Sequence, residues 1–191
     1  MREFAFAGGC PMKALILTWT GAQDQEVIYP YYRLLGAGFD VVIAADKRAE
    51  LGRFYGIFGV NMPCHVLISD PLLDEDAAEA DLLVIPGGVK ALEKLRQQQH
   101  VLDLIATHYH AGKLIASTCH GAQMLISAKI TKGHKIASYP SIKDDVINSG
   151  AEWSGEPVVV SGSIISSPHY DHMGIWLETV IHHMKGPYAR T

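Results

Sequence analysis

The sequence predicts an α/β protein built on a doubly wound, mostly parallel sheet with helices on both faces. One observation is a set of short apolar runs without alternation, Ala14-Leu15-Ile16-Leu17 and Leu82-Leu83-Val84-Ile85 among them, the pattern of strands buried on both sides. The other is that such runs alternate with segments of helical apolar spacing in units of about 30 residues, and right-handed crossovers make consecutive strands of that kind parallel.

The elements follow in order. Residues 14–17 form a strand, residues 21–25 a polar turn, and residues 26–35 a helix stopped by Gly36-Ala37-Gly38. Phe39 to Ala45 is the next strand. Asp81 to Ile85 is a strand ending in Pro86-Gly87-Gly88, His100 to His110 a helix, and Lys113 to Thr118 a strand that enters a helix at Cys119. Further on, residues 135–137, 158–160 and 163–165 read as short β runs and residues 142–148 as a helix. Ser161-Gly162 is the turn of a small β-hairpin near residues 156–166, and Asp171 to Met184 closes the chain as an amphipathic helix. Residues 46–70, with Gly52, Gly56, Gly59, Pro63 and the exposed-looking aromatics Phe54, Tyr55 and Phe58, give no clear pattern.

At 191 residues the chain is sized for one domain. Met12-Lys13 makes a natural start, so residues 1–11 read as an N-terminal arm and residues 12–191 as the single domain. Sixteen basic against twenty acidic residues, a net charge of −4, provide no electrostatic footprint for nucleic acid or an anionic membrane. No apolar run reaches the roughly 18 residues of a membrane span, and Glu3 spoils a signal-peptide basic region. Three cysteines, Cys10, Cys64 and Cys119, argue against a disulfide framework and for a reducing compartment, so a cytoplasmic location is expected.

Open α/β sheets bind ligands beyond the carboxyl ends of their strands, which singles out residues 21–26, 86–93 and 118–123. In Ser117-Thr118-Cys119-His120-Gly121-Ala122 a thiol stands on the turn from strand to helix, with small residues behind it that permit a sharp bend. A buried cysteine is otherwise a small core hydrophobe; here its position assigns it as the nucleophile, and the helix amides are expected to favour the thiolate. The His120 amide, with one from the Gly87-Gly88 loop, is placed to hold an oxyanion, and Gly88 allows the backbone to approach closely.

Pro86-Gly87-Gly88, Thr118 to Gln123, Ser138 to Asp145 and Ile28 to Leu34 together resemble the ThiJ/PfpI family, and within it the intracellular protease/amidase branch. The likeness runs from about Met12 to Met184. It implies a flavodoxin-like, glutamine-amidotransferase-like fold and a cysteine hydrolase working as a homodimer or larger ring. By that resemblance Glu93 matches a glutamate that a neighbouring subunit contributes to a triad with Cys119 and His120, if one residue is inserted in the loop. Aligning Glu26 to Pro30 places Gln23 where the family has a sulfur-facing Glu, which leaves Asp24 and His120 as stand-ins; a slipped register brings Asp24 or Glu26 to the sulfur instead. Ser167-Pro168-His169-Tyr170-Asp171-His172 replaces the family's Ser-Arg-x-Pro-x-Asp and points to a different substrate. Asp24, Gly87, His169 and His172 are therefore the substrate-side candidates.

No metal is expected, because neither His169, Asp171 and His172 nor Cys64 and His65 show paired ligand spacing. No cofactor is implied. Tyr29, Tyr31 and Tyr32 share one helix and suit packing or subunit contact. The expectation is a cysteine-dependent hydrolase or amidase acting on a small carbonyl or C–N substrate through a Cys119 thiolate. Glyoxalase, deglycase or hydratase-type chemistry on the same site is the alternative. Outside catalysis, a redox sensor or stress chaperone using Cys119, or a metabolite-binding pseudoenzyme, fits the same residues.

Overall fold

The unalternating apolar runs become the inner strands of one sheet because both of their faces are covered by helices. In the computed structural model, which describes residues 11–46 and 52–186, the elements in chain order are β1 (Lys13–Leu17), α1 (Asp24–Gly36), β2 (Asp40–Ala45), β3 (Arg53–Tyr55), β4 (Asn61–Pro63), β5 (Val66–Leu67), α2 (Leu72–Glu79), β6 (Leu82–Ile85), α3 (Val89–Leu95) and α4 (Gln99–His110). There follow β7 (Leu114–Thr118), α5 (Ala122–Ser127), β8 (Lys135–Ala137), α6 (Lys143–Asn148), β9 (Glu152–Ser154), β10 (Val159–Ser161), β11 (Ile164–Ser167) and α7 (Met173–Lys185). The proposed arm lies outside the described residues except for Pro11.

Seven strands form the main sheet in the order β10-β11-β7-β6-β1-β2-β5, all parallel except β10, which runs antiparallel to β11. The chain moves outward from β1 through β2 to β5, then returns to the other side of β1 with β6 and continues through β7 to β11. The direction of winding therefore reverses between β1 and β6, and the turns after these two strands face each other at the switch point.

Alternate residues of each strand feed two apolar layers. Leu15 and Leu17 pack with Leu73, Leu95, Ile105 and Leu125 from the helices on one face. Ala14 and Ile16 pack with Val27 and Leu34 of α1 and with Trp176, Leu177 and Val180 of α7 on the other. Burial of this kind stabilises by roughly 25 cal/mol per Å² of apolar area removed from water. Among the described residues no helix is long and apolar enough to cross a membrane.

The sequence reading missed α2, α3 and β9, all short. Residues 52–70 are more ordered than their composition suggested: β3 and β4 pair antiparallel, and β5 adds a parallel edge to β2. Phe54 is not an exposed aromatic but 1% exposed core, while Tyr55 next to it is 48% exposed, because side chains alternate along β3. The small hairpin is present as β10–β11, but Ser161 pairs with Ile164, so its loop is Gly162-Ser163 rather than Ser161-Gly162.

Candidate active site

β7 ends at Thr118 in extended geometry, and Cys119 then takes φ of +57°, a left-handed conformation unusual for a side chain with a Cβ. Such a residue costs on the order of 1–2 kcal/mol and persists where its surroundings enforce it. Here the Cys119 carbonyl accepts the Tyr139 amide at 3.2 Å. Gly121 permits the turn, since a Cβ there would lie 2.4 Å from the Ile85 carbonyl oxygen at the end of β6.

The side chain that meets the sulfur comes from the first turn of α1. Glu26 is wholly buried, and its Oε2 accepts the Gly87 amide at 2.6 Å. The other oxygen, Oε1, is buried without a hydrogen bond; the polar neighbour coupled to the carboxyl is the Cys119 thiol. A Cβ on Gly87 would fall 2.6 Å from Glu26 Oε2 and 3.1 Å from Cys119 Sγ, so only glycine leaves room for the two side chains to converge. Burial raises the Glu26 carboxyl to about 7, against the opposing pull of the Gly87 amide and the thiol.

Cys119 is 7% exposed, and its thiol is not made acidic as expected. Burial and the Glu26 charge push it up, and the His120 backbone amide pulls it only partly back. The helix amides do not make the thiol acidic, because desolvation of the sulfur outweighs one or two amide dipoles and a carboxylate sits in contact.

His120 Nδ1 lies 3.3 Å from Cys119 Sγ, and Nε2 lies 3.2 Å from Ser141 Oγ. The ring stacks on Tyr139 with centroids 4.8 Å apart, and burial lowers its pKa, favouring neutral imidazole. The His120 amide points at the sulfur. Gly88, at φ of +107°, passes so near the β1 turn that a Cβ would lie 2.6 Å from the Gln23 nitrogen. Its own N–H has no partner among the described residues and is free for an oxyanion, unlike that of Gly87.

Several expected placements change. Gln23 does not face the sulfur: its side chain bonds Gln25 and its amide bonds the Gly87 carbonyl. Asp24, a substrate-side candidate, is buried with both oxygens engaged, accepting the Phe58 and Val60 amides at 2.8 and 2.9 Å. Gly87 spends its amide on Glu26. Glu93 is exposed on α3, and within one chain Ser141 is the group hydrogen-bonded to the far nitrogen of His120. His169 contacts the rings of Tyr139 and Tyr170 and the Asp171 side chain rather than the sulfur. His172 caps the start of α7 without a side-chain hydrogen bond.

In the sequence only a slipped register brings Glu26 to the sulfur, and Ser141 and Tyr139 lie in the Ser138 to Asp145 motif without a role of their own. The signal for Glu26 was present: it adjoins Val27, Pro30 and Leu34 on the buried stripe of α1, where an unpaired carboxylate is rare. Nothing local marks Ser141, which approaches His120 only through folding.

A buried glutamate, a cysteine on a left-handed turn and a glycine loop at the switch point of this sheet coincide with a match of residues 12–183 to the DJ-1/PfpI family model. The chain belongs to the DJ-1/PfpI family. Among its relatives, Deglycase PfpI of Pyrococcus furiosus is 37% identical over 175 residues, covering 91% of this chain and 100% of that one. A deglycase of Pyrococcus horikoshii is 39% identical over 174 residues, with the same coverage. The putative cysteine protease YraA of Bacillus subtilis is 36% identical over 156 residues, covering 81% of this chain and 88% of its own. Schizosaccharomyces pombe DJ-1 superposes with a TM-score of 0.82 at 18% identity over 92% of this chain and 93% of that one, a likeness of fold. Cys119, Glu26, His120 and Gly88 all lie within the span matched to the DJ-1/PfpI model.

Proposed function

We propose that this DJ-1/PfpI chain is a cysteine-dependent deglycase-type enzyme that removes a small dicarbonyl unit from the thiol or amine to which it has added. The observation that carries this reading is the buried Glu26 carboxyl against the Cys119 thiol, raised to about 7 and so able to hold or release a proton near neutrality. The two groups titrate as a pair. Ionised Glu26 takes the thiol proton as the sulfur adds to the aldehyde carbon that the adduct presents once its C–S or C–N bond opens, and the carboxyl O–H so formed stands beside it as a donor.

The resulting alkoxide is held by the His120 and Gly88 amides, and Glu26 and neutral His120 exchange protons with it. The C–H proton of the sulfur-bound carbon then moves through an enediol to the neighbouring carbonyl carbon, leaving a 2-hydroxyacyl thioester on Cys119, and water hydrolyses that thioester. Overall one water enters, the thiol or amine leaves protonated, and the dicarbonyl unit leaves as a 2-hydroxy acid. A sulfur this enclosed suits a small adduct better than a folded polypeptide, although kinship with a named cysteine protease keeps amide hydrolysis as the competing outcome.

The test is turnover of the hemithioacetal of methylglyoxal and N-acetylcysteine, followed by loss of its ultraviolet absorbance and formation of lactate, beside hydrolysis of a fluorogenic peptide amide. Cys119→Ser is expected to lower hemithioacetal turnover at least about a thousandfold. Full activity in that variant, or cleavage of the amide alone, refutes the reading. Within the same proposal, Glu93 is the candidate carboxylate that a second copy presents to His120. Sedimentation analysis and Glu93→Gln kinetics check this; a monomer with unaltered kinetics in the variant removes it.

A further inference from the structure

We propose that His169 is a positioning residue for the nucleophile site, bracing the His120 imidazole through Tyr139. The inference rests on reading Cys119 and His120 as the reacting pair.

His120 is held at two points of its ring edge, by Cys119 Sγ at 3.3 Å and Ser141 Oγ at 3.2 Å. Two edge contacts leave the ring free to roll about the line joining them, so its tilt is set by what lies against its face. That neighbour is Tyr139, at 4.8 Å and 26° between planes. The Tyr139 amide is held by the Cys119 carbonyl at 3.2 Å, while its hydroxyl has no hydrogen bond among the described residues, so the tilt of the ring is left to packing. Besides His120, the ring beside it is that of His169, 5.8 Å away at 32°.

His169 is itself pinned. Its Nδ1 lies 3.4 Å from the Asp171 nitrogen and 3.0 Å from Asp171 Oδ2, accepting from the first when neutral or donating to the second when protonated, and its ring lies 3.8 Å from that of Tyr170. The support starts from the sheet, since His169 follows β11, whose Ser167 pairs in register with Thr118, the residue before the nucleophile. Brace and nucleophile thus leave the same sheet edge on adjacent strands. The two imidazole-bearing residues of the 167–172 segment divide accordingly: His169 acts on His120 through Tyr139, and His172 does not join the stack.

The experiment compares His169→Ala, His169→Phe and Tyr139→Leu with the parent by proton NMR of the His120 Hε1 resonance, whose ring-current shift reports stacking on Tyr139, and by steady-state kinetics on the methylglyoxal–N-acetylcysteine hemithioacetal. In His169→Ala the resonance is expected to move in the direction seen for Tyr139→Leu, and kcat to fall about three- to tenfold, the worth of one aromatic contact, with KM within about twofold. His169→Phe keeps a ring and restores both. If His169→Ala does not fold, His169→Leu, which fills the volume without a ring, is expected to shift the resonance the same way. An unmoved resonance in these variants overturns the proposal. So does a raised KM at unchanged kcat, which marks substrate contact, or a Phe variant as impaired as Ala. Should the parent fail to turn over the hemithioacetal, the functional reading falls, while the NMR shifts still decide the positioning.

Discussion

Two acidic side chains of α1, Asp24 and Glu26, are both buried, stand two residues apart and differ by one methylene, yet the fold treats them oppositely. Each Asp24 oxygen accepts a backbone amide, from Phe58 and Val60, and the aspartate thereby ties the 56–60 loop to the turn after β1, a tie reinforced by the Ile57 amide bonding the Ala22 carbonyl. Gly56 leaves the space this needs, since a Cβ there would overlap the Asp24 carboxyl. Glu26 receives one amide and leaves Oε1 without a hydrogen bond beside a thiol. A carboxylate whose lone pairs are filled is a structural clamp; one left half-filled in a desolvated pocket is a proton store. The contrast teaches that burial of an acid does not by itself mark chemistry: the accounting of its lone pairs does.

That distinction breaks most visibly at Glu26→Gln. The variant keeps the shape and an acceptor for Gly87 but cannot release a proton, so kcat/KM on the hemithioacetal is expected to fall about a hundredfold or more, and retention of activity would show that the proton resides elsewhere. Its stability sharpens the same point. Because the folded protein holds the Glu26 proton to about 7 and an unfolded chain releases it near 4.5, stability is full below the lower value and declines as pH rises through the window between them. The decline amounts to at most about 3 kcal/mol. Urea unfolding from pH 4.5 to 8 is expected to show it in the parent and to lose that component in Glu26→Gln.

On the clamp side, Asp24→Ala is expected to lower stability by about 2 kcal/mol through two orphaned amides. Its kcat should remain within a few-fold of the parent; a loss of turnover as large as that of Glu26→Gln would erase the contrast. The smallest effect belongs to Ser141→Ala, which removes one exposed hydrogen bond to His120 and is expected to lower kcat about two- to fivefold.

The strands around the switch point were legible because a doubly covered strand leaves an unmistakable run, as in Leu82 to Ile85, and Cys119 was legible because a thiol directly after such a run has few structural uses. α2 and α3 were not, being about two turns each with too few residues for a period to register. A one-dimensional alignment puts Gln23 rather than Glu26 at the sulfur because it counts residues along the chain but not the rotation of a helix. The thiol was expected to be acidic because helix amides can be read from sequence, whereas the depth at which the sulfur lies and the carboxyl packed against it cannot.

The order of strand and helix, the nucleophile and the glycine loop were thus settled by local pattern, since apolar period and turn chemistry act over a few residues. Which carboxyl meets the sulfur, which hydroxyl meets His120 and how the 167–172 segment bears on Tyr139 were decided only when distant segments came together. These contacts join β1, β6, β7 and β11 across some 140 residues of chain. Their energies depend on burial and distance, quantities that exist only in the folded molecule.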